Sequence, residues 1–280
     1  LAEVRLLPVG RALVSTPFAA YGGAIAETAT AAEALEDAAV SLGTRRRVNY
    51  VELRNLERRR SDWRDHGNFQ TFQRRLPSRP GDVAAAIPRK QRAEVRAARK
   101  NGLTIAQDMD VDSFHTLFAR AMRDHGSPVF ERALLHRIAD AFGPSIWIHA
   151  ARIGGQPVAA VLSYIDGDIV RPYYAAARSD ARTRSAFPAL YSAIMTDAVD
   201  YGLRTFDFGR SPAGSGSARF KRNMGFEPID LAYQVRPVGR SEVTAASPNN
   251  PKYRLAIAIW KRLPLPIANR LGPLAARGIV

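Results

Sequence analysis

Residues 205–228 read TFDFGRSPAGSGSARFKRNMGFEP, and the order of residue types in this stretch decides the reading of the fold. The β-branched and aromatic run 205–208 reads as a strand, 209–217 as a Gly/Ser/Pro turn and 218–224 as a short basic helix. Glycines between a strand and a helix leave backbone N–H groups free to approach an anion, and the helix N-terminus adds partial positive charge. Arg210, Arg219, Lys221 and Arg222 are expected to converge on the turn, where Gly214, Gly216 and Ser217 offer N–H donors. A phosphate-bearing ligand is the physical reading, with plain turn chemistry as its competitor. The spacing is neither the nucleotide P-loop nor G-x-G-x-x-G.

Upstream of this stretch the periodicities predict helices over 30–42, 89–101, 110–124, 131–142 and 188–201. Strands are predicted over 4–7, 12–16, 49–54, 68–74 and 103–107. Three more, 146–153, 158–165 and 169–177, are joined by Gly154-Gly155 and Asp166-Gly167-Asp168 and read as an antiparallel meander. A last strand is predicted over 228–236. Such an order describes a mixed α+β chain.

A weak internal repeat runs through it. Residues 17–23, PFAAYGG, resemble 172–178, PYYAAAR, and 37–55 resemble 197–211, with offsets of 155 and 160 residues that nearly agree. Two related lobes follow: 1–80 as the later part of a first lobe expected to lack its opening elements, and 86–238 as a complete second lobe. The remainder, 239–280, is a basic amphipathic tail, expected either to lie on anionic lipid or to pack across the lobes.

At 280 residues and 46% apolar content the chain can fill a sizeable core. It has no cysteine, which removes disulfides, thiolate zinc sites and cysteine nucleophiles. The expected compartment is the cytoplasm, with peripheral membrane contact through the tail. A net charge of +15 exceeds what solubility requires and points to a polyanionic partner. Six cations, Arg89, Lys90, Arg92, Arg96, Arg99 and Lys100, fall in one predicted helix relieved by Glu94 alone. That helix reads as a solvated face, as a phosphate-binding face, or as a nucleic-acid-binding module.

With these residues in view, the chain resembles the Fem family of aminoacyltransferases, and more closely its branch associated with exosortase (PEP-CTERM) exopolysaccharide loci. The resemblance is carried by STPFAAYGG (15–23), YVELRN (50–55), IPRKQRAEVRAARKNGL (87–103), SPVF (127–130), VAAVLSY (158–164), the run from FDFGRS to GFEP (206–228) and NPKYRLAIAIWKRLPLPIANRLGP (250–273). It implies two tandem lobes of the GNAT (acyl-CoA N-acyltransferase) type, with mixed sheets flanked by helices. It also implies acyl or aminoacyl transfer to an amine of a cell-envelope or exopolysaccharide precursor that bears phosphate.

By the same resemblance Phe220-Lys221 match a pair serving the RNA end of the donor. Tyr174 or Tyr173, and Arg92 or Arg96, match residues serving the acceptor's phosphates or sugar. The donor is aminoacyl-tRNA or acyl-CoA, with no tightly bound cofactor. A helical-hairpin insertion of some tRNA-using members and the [QR]-x-x-G-x-[GA] pyrophosphate signature are both missing from the sequence. The alternatives are an acetyl-CoA-dependent N-acetyltransferase acting on an amino sugar and a non-catalytic RNA- or membrane-binding protein.

Amide formation needs a neutral amine beside an activated carbonyl, donors for the developing oxyanion and a destination for a proton. The backbone of 214–217 and the Lys221 ammonium are expected as donors. Asp207 is expected to take the proton or orient the amine, or else to cap the turn or pair with Arg210. Tyr173 and Tyr174, adjacent on one strand, should face opposite sides, one in the core and one in the cleft. The five histidines show no H-x-x-H or H-E-x-x-H spacing, so no metal is expected. No G-x-S-x-G elbow marks a serine hydrolase.

Overall fold

The computed structural model describes residues 1–6, 10–179, 185–238 and 251–276. Its first part contains β1 (Ala2–Leu6), β2 (Gly10–Val14), α1 (Ala29–Arg46), β3 (Tyr50–Asn55), β4 (Arg64–Asp65), β5 (Phe69–Thr71) and β6 (Gln73–Arg75). Next come α2 (Val83–Ala86), α3 (Arg89–Lys100), β7 (Leu103–Ala106), α4 (Val111–His125), α5 (Arg132–Phe142), β8 (Ile146–Ile153), β9 (Gln156–Asp166) and β10 (Ile169–Ala177). The chain continues through α6 (Ala186–Asp200), β11 (Thr205–Asp207), β12 (Ser211–Pro212), α7 (Gly216–Asn223), β13 (Ile229–Asp230), β14 (Ala232–Pro237), α8 (Pro251–Trp260) and α9 (Leu265–Ala276).

Local chemistry accounts for the helix starts. The Thr28 hydroxyl accepts from Ala31 N at 3.1 Å to open α1. Asp110 opens α4 by accepting from Ser113 N at 2.8 Å. Ser215 opens α7 by accepting from Ala218 N at 3.2 Å. Each satisfies an amide that the helix itself leaves without an acceptor.

The strands form three sheets: β1-β2-β3-β14-β4, β6-β11-β10-β9-β8-β7, and the small β12-β5-β13. The meander β8-β9-β10 is antiparallel, as its turns predict. Its two faces bury different cores. Ala151, Ala159, Val161 and Val170 pack with α3, α6 and α7. Ala150, Ala160, Leu162 and Ala176 face Phe114, Leu117, Phe118 and Leu135 of α4 and α5. This is the period-two alternation of a strand covered on both faces.

The division expected between 1–80 and 86–238 does not separate the sheets. The final strand β14 leaves the second lobe and pairs along the whole length of β3 in the first, Tyr233 opposite Arg54. In exchange β6 pairs with β11 in the second lobe, Gln73 opposite Asp207. The single strand predicted over 68–74 is broken at the fully buried Phe72, where the chain changes partners. Buried apolar area and ladder bonds thus cross between lobes at both ends. Of the tail, residues 256–276 dock on the second lobe beside the end of α4; positions 239–250 and 277–280 lie outside the described residues.

Candidate active site

β10 and β11 run parallel for only two residue pairs, Ile169 with Thr205 and Val170 with Phe206, and then part. Two devices hold the wedge open. On the β10 side the register shifts between Pro172 and Tyr174, leaving Tyr173 as the extra residue of a β-bulge. On the β11 side the chain turns through Gly209, whose φ of 63° suits glycine.

The bulge overturns the expectation that Tyr173 and Tyr174 face opposite sides. Their ring centroids are 5.1 Å apart, and both line one cavity of about 590 Å³. Leu134, Ile138 and Phe142 of α5 form one wall with Phe130 of the loop before it, Tyr164 the β9 wall, and Pro17, Phe18 and Ala19 the first-lobe wall. Arg171 and Asp166, ion-paired with each other, supply its charge. Size and lining are those of a small-molecule site with few polar groups. Burial raises the pKa of all three tyrosines, Tyr164 to about 12, so each phenol keeps its proton at neutral pH and can donate. The Tyr173 hydroxyl donates to the Phe18 carbonyl.

The first-lobe wall is held by the YVELRN strand. Buried Arg54 pairs with Glu52 at 2.9 Å and donates to the carbonyls of Ala19 at 3.0 Å and Thr16 at 3.4 Å. Gly22 bridges to Arg54. A Cβ on Gly22 would sit 1.7 Å from Thr16 Oγ1, so the close approach requires glycine. Phe18 itself sits at φ 67°, where a bulky side chain is strained, and it does so at the cavity.

Asp207 lies at the floor of the wedge and is 0% exposed. Its carboxylate accepts from Tyr21 Oη at 3.0 and 3.1 Å, Arg171 Nε at 3.1 Å, Gln73 Nε2 at 3.2 Å and its near neighbour Gly209 N at 2.7 Å. The Tyr21 hydroxyl also meets Thr71 Oγ1. Burial, followed by the Asp207 charge, raises the Tyr21 pKa. A carboxylate so engaged joins the lobes and is not open to an amine, which corrects the expected proton-accepting role. Its cation is Arg171, and Arg210 instead lies over the rings of Phe69 and Tyr233.

Lys221 is turned inward against the glycine turn. It is 8% exposed, and its ammonium donates to the carbonyls of Phe208, Gly209 and Arg210 at 2.8, 2.9 and 3.0 Å. Burial lowers its pKa to about 8 against the opposing pull of Asp207, so at neutral pH it is charged and all three hydrogens are used. It clamps the glycine turn, and the expected convergence of four cations on that turn is not formed. Arg222 bonds Gln70 Oε1 at 2.9 Å, and Phe220 packs on Phe187, Tyr191 and Phe208. Gly214, Gly216 and Ser217 are exposed at the start of α7, and the Ser217 hydroxyl meets that of Ser215 at 2.9 Å.

Arg92 and Arg96 are not brought to the cavity. They lie on α3, whose buried residues join the core on the sheet face opposite α5. Sequence reasoning singled out Tyr173 and Tyr174 but not Tyr21, Phe18, Gln73 or Arg171. Tyr21 and Phe18 stand in the repeated PFAAYGG segment, which was the available signal. Among the described residues no three His, Asp or Glu side chains gather as a metal site, and no helix is long and apolar enough to cross a membrane.

Residues 89–222 match a family model described as an acetyltransferase (GNAT) domain. No curated protein sequence gives a significant match. Among solved structures the chain is similar to FemX, with a TM-score of 0.58 and 13% identity over 82% of this chain and 80% of that one. It is also similar to the C-terminal domain of a putative lysylphosphatidylglycerol synthetase from Agrobacterium fabrum, with a TM-score of 0.54 and 15% identity over 74% and 73%. L-PGS from Bacillus licheniformis gives 0.51 and 14% over 82% and 77%. At such identities the likeness is one of architecture. The α+β chain, with mixed sheets flanked by helices and a match over 89–222, has the GNAT fold in two tandem GNAT-like lobes.

Proposed function

We propose that the protein is an N-acyltransferase of Fem-like type, moving an acyl or aminoacyl group to an amine of a cell-envelope or exopolysaccharide precursor. The observation that carries this reading is the parting of β10 from β11 beside the aromatic cavity, within a chain of GNAT fold. In the step itself the amine nitrogen attacks the acyl carbon and a C–N bond forms. The C–S bond of a thioester, or the C–O bond of an aminoacyl ester, breaks. The amine's proton passes through water to the departing sulfur or oxygen.

Tyr164 and Tyr174 are the phenols available to donate to the oxyanion, since both stay protonated and line the cavity. The Asp207 cluster and the Lys221 clamp position the wedge without touching the reacting atoms. Holding the two substrates in register can account for about 7–11 kcal/mol of barrier lowering, so a dedicated base is not required. The exposed start of α7, with its free N–H groups, suits a phosphate of donor or acceptor.

A second reading is an acetyl-CoA-dependent N-acetyltransferase acting on an amino sugar; the family model over 89–222 supports its acetyl transfer. One assay separates the two. The protein is incubated with an amino-sugar nucleotide or a peptidyl precursor and with either acetyl-CoA or aminoacyl-tRNA, and new amides are sought by mass spectrometry. An amide from aminoacyl-tRNA supports the Fem-like reading, an acetamide supports the second, and no amide from either donor contradicts both.

A further inference from the structure

The C-terminal hairpin has two unlike faces, one turned inward and one outward. On α9, Ala268, Gly272 and Ala276 are buried, and a Cβ on Gly272 would stand 2.8 Å from the Val129 carbonyl, so this face is pressed against the 127–130 segment. Arg123 holds the hairpin's corner by donating to the Leu263 carbonyl at 3.3 Å. At i, i+4 and i+7 on the other side stand Ile267, Leu271 and Leu274, which are 47%, 43% and 62% exposed; on α8, Ile259 is 56% exposed. Arg270 lies on the same side, and Lys261 and Arg262 flank it at the corner, all exposed.

Among the described residues no core cluster takes in this apolar row, and its charge has one sign. Residues 251–280 contain no Asp or Glu at all. Trp260, half-buried at the end of α8, adds a residue type that settles at lipid headgroups. Exposed aliphatic residues on one helix face, rimmed by Arg and Lys and free of acids, match an anionic bilayer surface. The aliphatics enter the acyl boundary and the cations stay with the headgroups. A polyanion such as RNA would use the cations and leave the leucines without a partner.

We infer that the outer face of the α8–α9 hairpin is a membrane-docking surface that seats the protein on anionic lipid. The placement also orients the molecule. Val129 touches α9 and the next residue, Phe130, lines the cavity, so the docked surface and the cavity wall belong to one side of the second lobe. This inference depends on the tail's geometry and not on the transfer chemistry, so an absent transferase activity would not affect it.

The test is sedimentation of the full chain with vesicles of phosphatidylcholine alone and with 30 mol% phosphatidylglycerol, at moderate salt. The wild type is expected to pellet with the anionic vesicles only. Both Leu271→Glu with Leu274→Glu and Arg262→Glu with Arg270→Glu should weaken binding by roughly tenfold or more. These side chains are exposed, so the unfolding midpoint should be unchanged, and that is measured alongside. Failure to pellet would overturn the inference, as would binding that survives both double variants. It would also be overturned if the wild type were dimeric in light scattering and the leucine variant monomeric, since the row would then be a self-association surface. So would selective loss of binding to a labelled RNA with lipid binding intact.

Discussion

The Asp207 carboxylate accepts the Tyr21 hydroxyl on both oxygens, at 3.0 and 3.1 Å, across 186 residues of sequence. Tyr21 comes from the loop that walls the cavity, Gln73 from the crossover strand β6, and Arg171 from the bulged strand β10. One buried carboxylate therefore sets the relative position of both lobes and of the two strands that part at the candidate site.

Asp207→Asn removes the charge that Arg171 and Tyr21 are arranged around. Breaking a buried ion pair costs about 3–5 kcal/mol, and because Arg171 keeps Asp166 we expect the lower end, about 3 kcal/mol, by denaturant unfolding. Tyr21→Phe should cost about 1.5–3 kcal/mol, the range for a bond to a charged group. The double variant should lose less than the sum of the two, since the residues share one interaction.

Lys221 is expected to act on stability first. Lys221→Met keeps the stem but leaves three carbonyls without their donor, at a cost of about 2 kcal/mol. Burial holds the folded pKa near 8, below the ordinary 10.5. Between those values the unfolded chain binds more protons than the folded one. This group's contribution is thus fully present above pH 10.5 and is lost as pH falls through 8, with a slope of at most about 1.4 kcal/mol per pH unit. Unfolding midpoints of wild type and Lys221→Met across pH 7–10 should differ by that slope. Parallel curves would mean that the lysine titrates at its ordinary value.

Tyr174→Phe keeps the ring that packs on Phe118 and Phe130 and removes only the hydroxyl. With the oxyanion role, kcat/KM should fall about a hundredfold while the thermal midpoint stays within a few degrees. Unaltered kcat/KM would leave Tyr174 as a cavity wall.

Phe18 occupies left-handed backbone at φ 67° and is 41% exposed. Phe18→Gly relieves strain of order 1–3 kcal/mol and loses a half-exposed ring, so stability should change little. Substrate KM should nonetheless rise, because one wall of the cavity is gone. A variant equally impaired in folding would make the ring a core residue.

Much of the fold was legible because its signals are local. The meander announces itself through Gly154-Gly155 and Asp166-Gly167-Asp168, and Asp110 marks the start of α4. The lobe repeat located PFAAYGG, whose Tyr21 and Phe18 lie at the junction. The exchange of β6 and β14 between sheets was not legible, because pairing between strands so far apart in sequence leaves no local trace in composition. The bulge at Tyr173 was hidden for a related reason. Alternation predicts faces only where no extra residue intervenes, and PYYA carries no glycine to mark one. Lys221 was expected to face a ligand because its charge suits an anion, whereas three backbone carbonyls can hold an ammonium indoors.

The central claim is that the cavity between β10 and α5 receives the substrates of acyl transfer, and donor binding by calorimetry tests it most directly. The wild type and a Leu134→Trp variant, whose added ring fills the cavity from α5, are titrated with acetyl-CoA and with a non-hydrolysable aminoacyl acceptor-stem RNA. The account predicts saturable binding of one donor by the wild type, and at least tenfold weaker binding by a normally folded Leu134→Trp. No binding of either donor, or binding that Leu134→Trp leaves untouched, would contradict it.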